Sequence, residues 1–157
     1  VIVTTNQGVF TAKQSILTIP VSLLQASAIT FDPPLSAAKR AAIAAFRTEA
    51  ATKFLYRFDE PLWDELLVFA AHDGIASRWW TPGYGRPGAA VLCCYITADW
   101  AIRIDAMAEA AALHLGLVEM SRLLGRSDLA ARCANARRIA WAHDSYARGG
   151  YAHLPHG

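Results

Sequence analysis

The stretch T-K-F-L-Y-R-F, residues 52–58, decides the fold. Phe54, Tyr56 and Phe58 alternate with Lys53, Leu55 and Arg57, the period-two pattern of a half-buried strand rather than the 3.6-residue period of a helix. One face is aromatic and suited to a core. Lys53 lies on the other, beside Leu55. Downstream, residues 66–71 and 75–80 flank His72-Asp73-Gly74, and Asp-Gly between apolar runs is a strong hairpin signal that makes His72 a turn residue. A loop over 81–88 leads into another apolar strand at 89–96, so the middle third is expected to be an antiparallel sheet.

Outward from this centre, residues 1–5, a polar turn at 6–8 and residues 15–19 read as two short strands in a hairpin-like arrangement that Pro20 ends. Asp32-Pro33-Pro34 imposes an extended or turning passage. Ser36 is a good N-cap for an Ala-rich helix running to Phe46, with Ala42, Ile43 and Phe46 on its buried side. From Ile102 the period becomes 3.6, with Ile104, Ala108, Ala111, Leu115 and Val118 on one stripe and Leu113, Leu117, Met120 and Leu124 beside it. Asp105, Glu109 and Glu119 mark the wet side. This predicts one long amphipathic helix over 102–124, closed by Gly125 at its C-terminus. A short helix over 128–134, a strand over 137–142 and a tail rich in Gly, aromatics and His follow. No internal repeat is visible. The fold class expected is α+β: a mixed, largely antiparallel sheet with helices packed on one face.

Composition narrows the function classes. A chain of 157 residues is one domain in size. With 54% apolar and 18% charged residues, against about 25% charged in ordinary domains, disorder is excluded. The apolar excess suggests a surface that meets another protein segment or a large apolar ligand. Twelve Arg and three Lys against thirteen acids give a formal charge of +2, spread along the chain. Nucleic acid is therefore not an expected partner, and Arg137-Arg138 reads as a solvated strand or helix end. Pro20, Asp105, Glu109 and Glu119 interrupt every run that approaches the roughly 20 apolar residues of a membrane span, so no membrane partner is expected. The start at Val1 has no basic, apolar leader, and a cytoplasmic location is the expectation. Cys93, Cys94 and Cys133 offer neither an even count nor C-x-x-C spacing, which argues against disulfides and against a metal site. Cys93 and Cys94 read as small buried hydrophobes.

Several motifs have ordinary readings. Gly83-Tyr84-Gly85-Arg86-Pro87-Gly88 matches G-x-G-x-x-G, but a strand follows where the phosphate-binding mechanism needs a helix N-terminus. It reads as an inter-strand loop. His143-Asp144-Ser145 has the residue types of a hydrolase triad, yet adjacent residues point in different directions and cannot form the relay. His114 reads as a core or rim histidine, and His153 and His156 as loop residues lacking a third ligand. Lys53 has two readings: an edge lysine snorkelling to water, or an amine held in an apolar cavity as a proton relay or water anchor.

Four ordered segments carry a family resemblance: VIVTTNQGVFTAKQSILTIP (1–20), ITFDPPLSAAKRAAI (29–43), KFLYRFDEPLW (53–63) and WAHDSYARGGYAHLPHG (141–157). In order and spacing the sequence resembles the flavin-containing amine oxidase family, which includes monoamine oxidases, polyamine oxidases, L-amino-acid oxidases and histone-lysine demethylases. The resemblance implies that Lys53, with Phe58 and Leu62-Trp63 completing its motif, is the active-site lysine that holds a water against flavin N5. It further implies that Trp141 and Tyr146 line the flavin site and that Gly149 and Gly150 let the backbone approach the isoalloxazine ring. Tyr151 would be one wall of an aromatic cage around the substrate amine, and Thr18 and Pro20 would belong to a strand end near the cofactor. Gly150 stands where monoamine oxidases carry the cysteine that bonds the flavin, so the FAD is expected to be non-covalent.

The family's dinucleotide fingerprint, adenine-binding strand, G-E motif and second cage aromatic fall outside the matched segments. The resemblance therefore implies a fragment: residues 1–20 and 141–157 as parts of an FAD domain and 21–140 as the substrate-binding domain, with the missing FAD-domain segments as partners that cover the apolar excess. The parent is expected to be an FAD-dependent amine oxidase. It would oxidise a small-molecule amine to an imine by hydride transfer to flavin N5, with O2 giving H2O2. The isolated chain is expected to be inactive and not to bind flavin. Two alternatives stand beside this: a non-catalytic folding or homo-oligomerisation module, based on the wide apolar stripe over 102–124, and a same-fold FAD oxidoreductase acting on a non-amine such as a porphyrinogen or carotenoid.

Overall fold

The computed structural model describes residues 1–64, 66–82, 86 and 90–155. In chain order the elements are β1 (Ile2–Thr5), β2 (Gly8–Thr11), α1 (Val21–Gln25), α2 (Ala37–Ala45), β3 (Arg47–Glu49), β4 (Ala51–Phe58), β5 (Phe69–Ala71), β6 (Arg78–Trp80), β7 (Val91–Thr97), α3 (Ala98–Asp105), α4 (Glu109–Leu124), α5 (Leu129–Arg132), β8 (Cys133–Ala140) and β9 (Tyr151–His153), with a 3-10 turn at Trp141–His143. The main sheet has the order β5-β6-β7-β4-β8, antiparallel at every step. Two smaller antiparallel pairs, β1-β2 and β3-β9, stand beside it. Helices α3 and α4 cover one face of the sheet, which makes the class α+β with a largely antiparallel sheet, as the patterning predicts.

Strand β4 is central and hydrogen-bonded on both sides. Its aromatic face is the core: Phe54 and Tyr56 are fully buried, with Trp79, Leu92, Cys94 and Ile96 from the neighbouring strands and Ile104, Ala112 and Met120 from the helices. Tyr56 stacks on Trp79 at 5.7 Å between centroids and donates its hydroxyl to the Leu113 carbonyl at 2.9 Å. Burial drives that phenol's pKa far up. Each such side chain contributes about 1.5–3 kcal/mol by leaving water. Gly116 lets α4 approach, because a Cβ there would run into the Tyr56 hydroxyl and the Phe54 ring.

Several elements differ from the sequence reading. The N-terminal hairpin turns on Asn6-Gln7 and pairs Ile2–Thr5 with Gly8–Thr11, not with residues 15–19. Thr5 Oγ1 accepts from Gln7 N and donates to Gly8 O, and Gly8 takes φ +134°, a combination that closes a two-residue turn. The helix expected over 102–124 is two helices, broken at Ala106–Ala108, where Ala108 is extended at ψ 137°. Arg138 supports the break by donating to the carbonyls of Ile104 and Met107 at 2.8 and 2.9 Å, while Glu109 accepts from the Arg138 backbone N–H. The buried stripe of α4 is accordingly Ala112, Gly116, Leu117 and Met120, leaving Ala108 and Ala111 exposed. The hairpin around Asp73-Gly74 is a six-residue connection between the three-residue strands β5 and β6, because Glu119 draws it to α4 by accepting from Ile75 N and Ala76 N at 3.1 and 2.7 Å. Helix α1 and the short strands β3 and β9 are elements that the sequence pattern did not foretell, and the strand expected over 137–142 is β8, which starts at Cys133 and gives way to the 3-10 turn at Trp141.

Ser36 caps α2 as expected, accepting from Lys39 N. Ile43 and Phe46 are half-buried, but Ala42 is exposed. Gly125 closes α4 at φ +64°. The three cysteines are free, Cys93 and Cys94 being buried.

Candidate active site

The face of the main sheet opposite the helices carries the other half of the β4 alternation. Lys53 pairs directly with Tyr95 on β7, while Cys93 on β7 pairs with both Leu55 on β4 and Trp80 on β6. Directly opposed residues share a face, so Lys53, Leu55, Cys93, Tyr95 and Trp80 form one surface. The Lys53 ammonium lies 5.6 Å from the Trp80 ring centroid and 5.9 Å from that of Tyr95. Among the described residues no carboxylate forms an ion pair with Lys53. Burial raises the pKa of the Tyr95 phenol, with the Tyr151 hydroxyl adding to the shift. Burial likewise pushes the Cys93 thiol up to about 12, against a smaller downward pull from Lys53. This cysteine is therefore inert packing beneath the site.

The opposite wall comes from the chain's two ends. The segment from Thr18 to Ser22 meets the tail where Ser22 Oγ donates to the Ala147 carbonyl at 2.6 Å. Asp144 Oδ1 accepts from Tyr146 N and Ala147 N, folding the tail into a tight loop. Gly149 N donates to Trp141 O at 3.0 Å and Gly150 N to Glu49 O at 2.9 Å, so the loop returns along β3. Gly149, at φ +145°, is required by packing as well as by backbone: a Cβ there would overlap the Thr48 methyl, and one at Gly150 would overlap Ala51 Cβ.

Between these walls lies an open cleft of about 690 Å³. Of the candidate residues, Lys53, Tyr151, Trp141, Gly149, Gly150, Thr18 and Pro20 all line it. Tyr146 is the exception, 82% exposed on the same loop and outside the lining. Trp80 and Tyr95 also line the cleft, and the sequence reading had not singled them out. Their only signal was strand alternation placing them on the face of Lys53, which requires knowing the β4–β7–β6 pairing.

The remaining motifs lie elsewhere. His143 points its Nε2 to Asp105 Oδ2, 4.0 Å away, rather than to its sequence neighbours. His72 sits in its turn, with Nε2 3.6 Å from Glu119. His114 is exposed on α4. His153 is on strand β9, not in a loop, 3.6 Å from Glu49. Of the glycine-rich loop only Arg86, exposed, is among the described residues; the rest of that motif and His156 fall outside them.

The cleft thus joins an ammonium that has no carboxylate partner among the described residues, aromatic rings on both walls and a glycine-containing edge. The chain belongs to the flavin containing amine oxidoreductase family, whose model matches residues 1–157. It is 29% identical over 153 residues to an L-amino-acid oxidase of Mus musculus, over 91% of this chain and 24% of that protein. In fold it is similar to a triple mutant of putrescine oxidase made in a redesign of cofactor binding, with a TM-score of 0.75 at 18% identity over 88% of this chain and 31% of that one. Wild-type putrescine oxidase bound to putrescine gives a TM-score of 0.70 at 17% identity, with the same coverage. The chain thus spans about a quarter of the curated relative's length and under a third of the putrescine oxidases'. Among the described residues no helix is long and apolar enough to cross a membrane.

Proposed function

We propose that this chain is the substrate-side portion of an FAD-dependent amine oxidase, with residues 21–140 as the substrate-binding domain and residues 1–20 and 141–157 belonging to the body that holds the cofactor. The observation that carries this reading is the convergence of Lys53, Trp141, Tyr151 and the Gly149-Gly150 pair, from distant parts of the sequence, on one cleft. The cleft's donor set suits a flavin held without a covalent bond: Gly150 offers no side chain to bond it, and the Trp141 ring, 36% exposed, is available for stacking. FAD bound in this cleft would supply the two-electron oxidation of the amine to an imine, a hydride transfer, with O2 as onward acceptor giving H2O2.

The chain's own residues do the rest. Lys53, fixed on a strand paired on both sides, donates an N–H to a water and holds it at the cleft floor. Its positive charge also disfavours a second cation nearby, so a bound amine is driven toward its neutral form, the form that can be oxidised. Tyr151 presents an aromatic face that packs against the amine's apolar body and orients it from the opposite wall. The polypeptide beyond this chain supplies the rest of the FAD site, and the 157 residues alone neither retain flavin nor turn over.

The test uses a flavin-loaded polypeptide containing this chain. Lys53→Met is expected to slow flavin reduction by amine, or its reoxidation by O2, by about tenfold or more, as loss of a positioned proton-handling group does. Stopped-flow absorbance follows both half-reactions, and two unchanged rate constants would remove Lys53 from the mechanism. A peroxide assay over a panel of amines tests the reaction class itself.

A further inference from the structure

We propose that Trp80 and Tyr95 form an aromatic clamp on the Lys53 ammonium, and that they are positioning residues for the step Lys53 serves. The inference rests on the reading of Lys53 given above and extends it to two residues on other strands. The geometry is set by backbone pairing. Tyr95 is directly across from Lys53, and Trp80 reaches the same point from β6 across Cys93. Cys93, 1% exposed, is buried on the same face between Leu55 and Trp80.

The two ring centroids, at 5.6 and 5.9 Å from Nζ, are within the range at which an aromatic face attracts an ammonium. Among the described residues no carboxylate competes for it. A carboxylate partner would consume N–H donors in directional hydrogen bonds and neutralise the local charge. Rings leave the charge in place, and with three N–H groups on the ammonium and two rings beside it, at least one donor is left to point into the cleft. A phenol is uncharged near neutral pH, and burial moves the Tyr95 pKa further up, so this ring adds no charge to the wall. The clamp therefore restricts the most flexible cationic side chain in the site while leaving its charge and a donor for a water or a substrate. An exposed lysine without such contacts would spread over many rotamers.

The test combines kinetics with a readout independent of turnover, in the flavin-loaded polypeptide containing this chain. Trp80→Leu and Tyr95→Leu are each expected to slow the Lys53-dependent half-reaction about 2- to 30-fold, the span that loss of one cation–π contact allows. Trp80→Phe and Tyr95→Phe, which keep a ring and guard against misfolding of the Leu variants, should restore most of the rate. In a Lys53→Met background neither Leu substitution should slow the reaction further. Reductive methylation with 13C-formaldehyde gives the second readout. The Lys53 methyl signal, assigned by its loss in Lys53→Arg, should be shifted upfield by the ring currents and should move toward the free-lysine position in Trp80→Leu. Equal slowing by the Leu variants with and without Lys53, or a Lys53 signal at the free-lysine position from the start, would overturn the clamp. If Lys53→Met alone changes nothing, the role of Lys53 fails and the clamp's catalytic purpose goes with it, an outcome visible before the ring variants are compared.

Discussion

At the scale of single residues, Gly149 has a job in the protein itself as well as the approach to the cofactor that family resemblance assigns it: it takes φ +145°, and Thr48 packs where a side chain would begin. Gly149→Ala should therefore destabilise the fold by about 1–3 kcal/mol even without flavin, through backbone strain and the clash with Thr48. A urea melt of the flavin-free protein measures this as a lower midpoint at unchanged slope, and an unchanged midpoint would return Gly149 to a role toward the cofactor alone.

At the scale of elements, strands and caps with local signals were readable. Phe54, Tyr56 and Phe58 announced β4, Ser36 announced α2, and Gly125 announced the end of α4. What failed was continuity. The periodicity over 102–124 carries straight through Ala106–Ala108, and the break there is held by Arg138, some thirty residues away, binding the carbonyls of Ile104 and Met107. The turn after α4 offers a pH test. Arg126 binds Asp128 through two hydrogen bonds, at 2.9 and 2.7 Å, and this partner holds the carboxyl at about 2, well below its ordinary 3.8. A carboxyl whose folded value is depressed adds stability above its unfolded value and loses it as pH falls toward the folded one. The contribution of this pair should thus fade between about pH 4 and pH 2, and Asp128→Asn should flatten the acid limb of the stability profile in that window. Thermal melts at stepped pH read the difference, and identical profiles would mean the pair is not formed in solution.

At the scale of the whole molecule, the apolar excess noticed in the composition has a location. Val1, Ile2, Val3, Val9 and Phe10 on the β1–β2 hairpin, and Ile16 and Leu17 beyond it, are exposed. Among the described residues the hairpin pairs only with itself, whereas β4 is paired along both edges. A lone two-stranded hairpin is marginal in water. In the 157-residue chain by itself, amide hydrogens of Val3 and Phe10 should exchange orders of magnitude faster than those of Phe54 and Tyr56, as mass spectrometry of peptic fragments can resolve. Comparable protection in both would show that the hairpin has found a partner, a second copy included, and size-exclusion mass measurement would identify it.

Strand β4 is fastened along both edges, to β7 and to β8. It cannot slide by two residues without tearing two ladders at once, so the Lys53 ammonium is mounted on a rail that adjusts little. The three-residue β9, which presents Tyr151 and pairs only with β3 among the described residues, is held more lightly. Divergence among proteins built on this plan should accordingly accumulate in the flanking walls, where new side chains reshape what is accepted, while the floor and its lysine stay where they are.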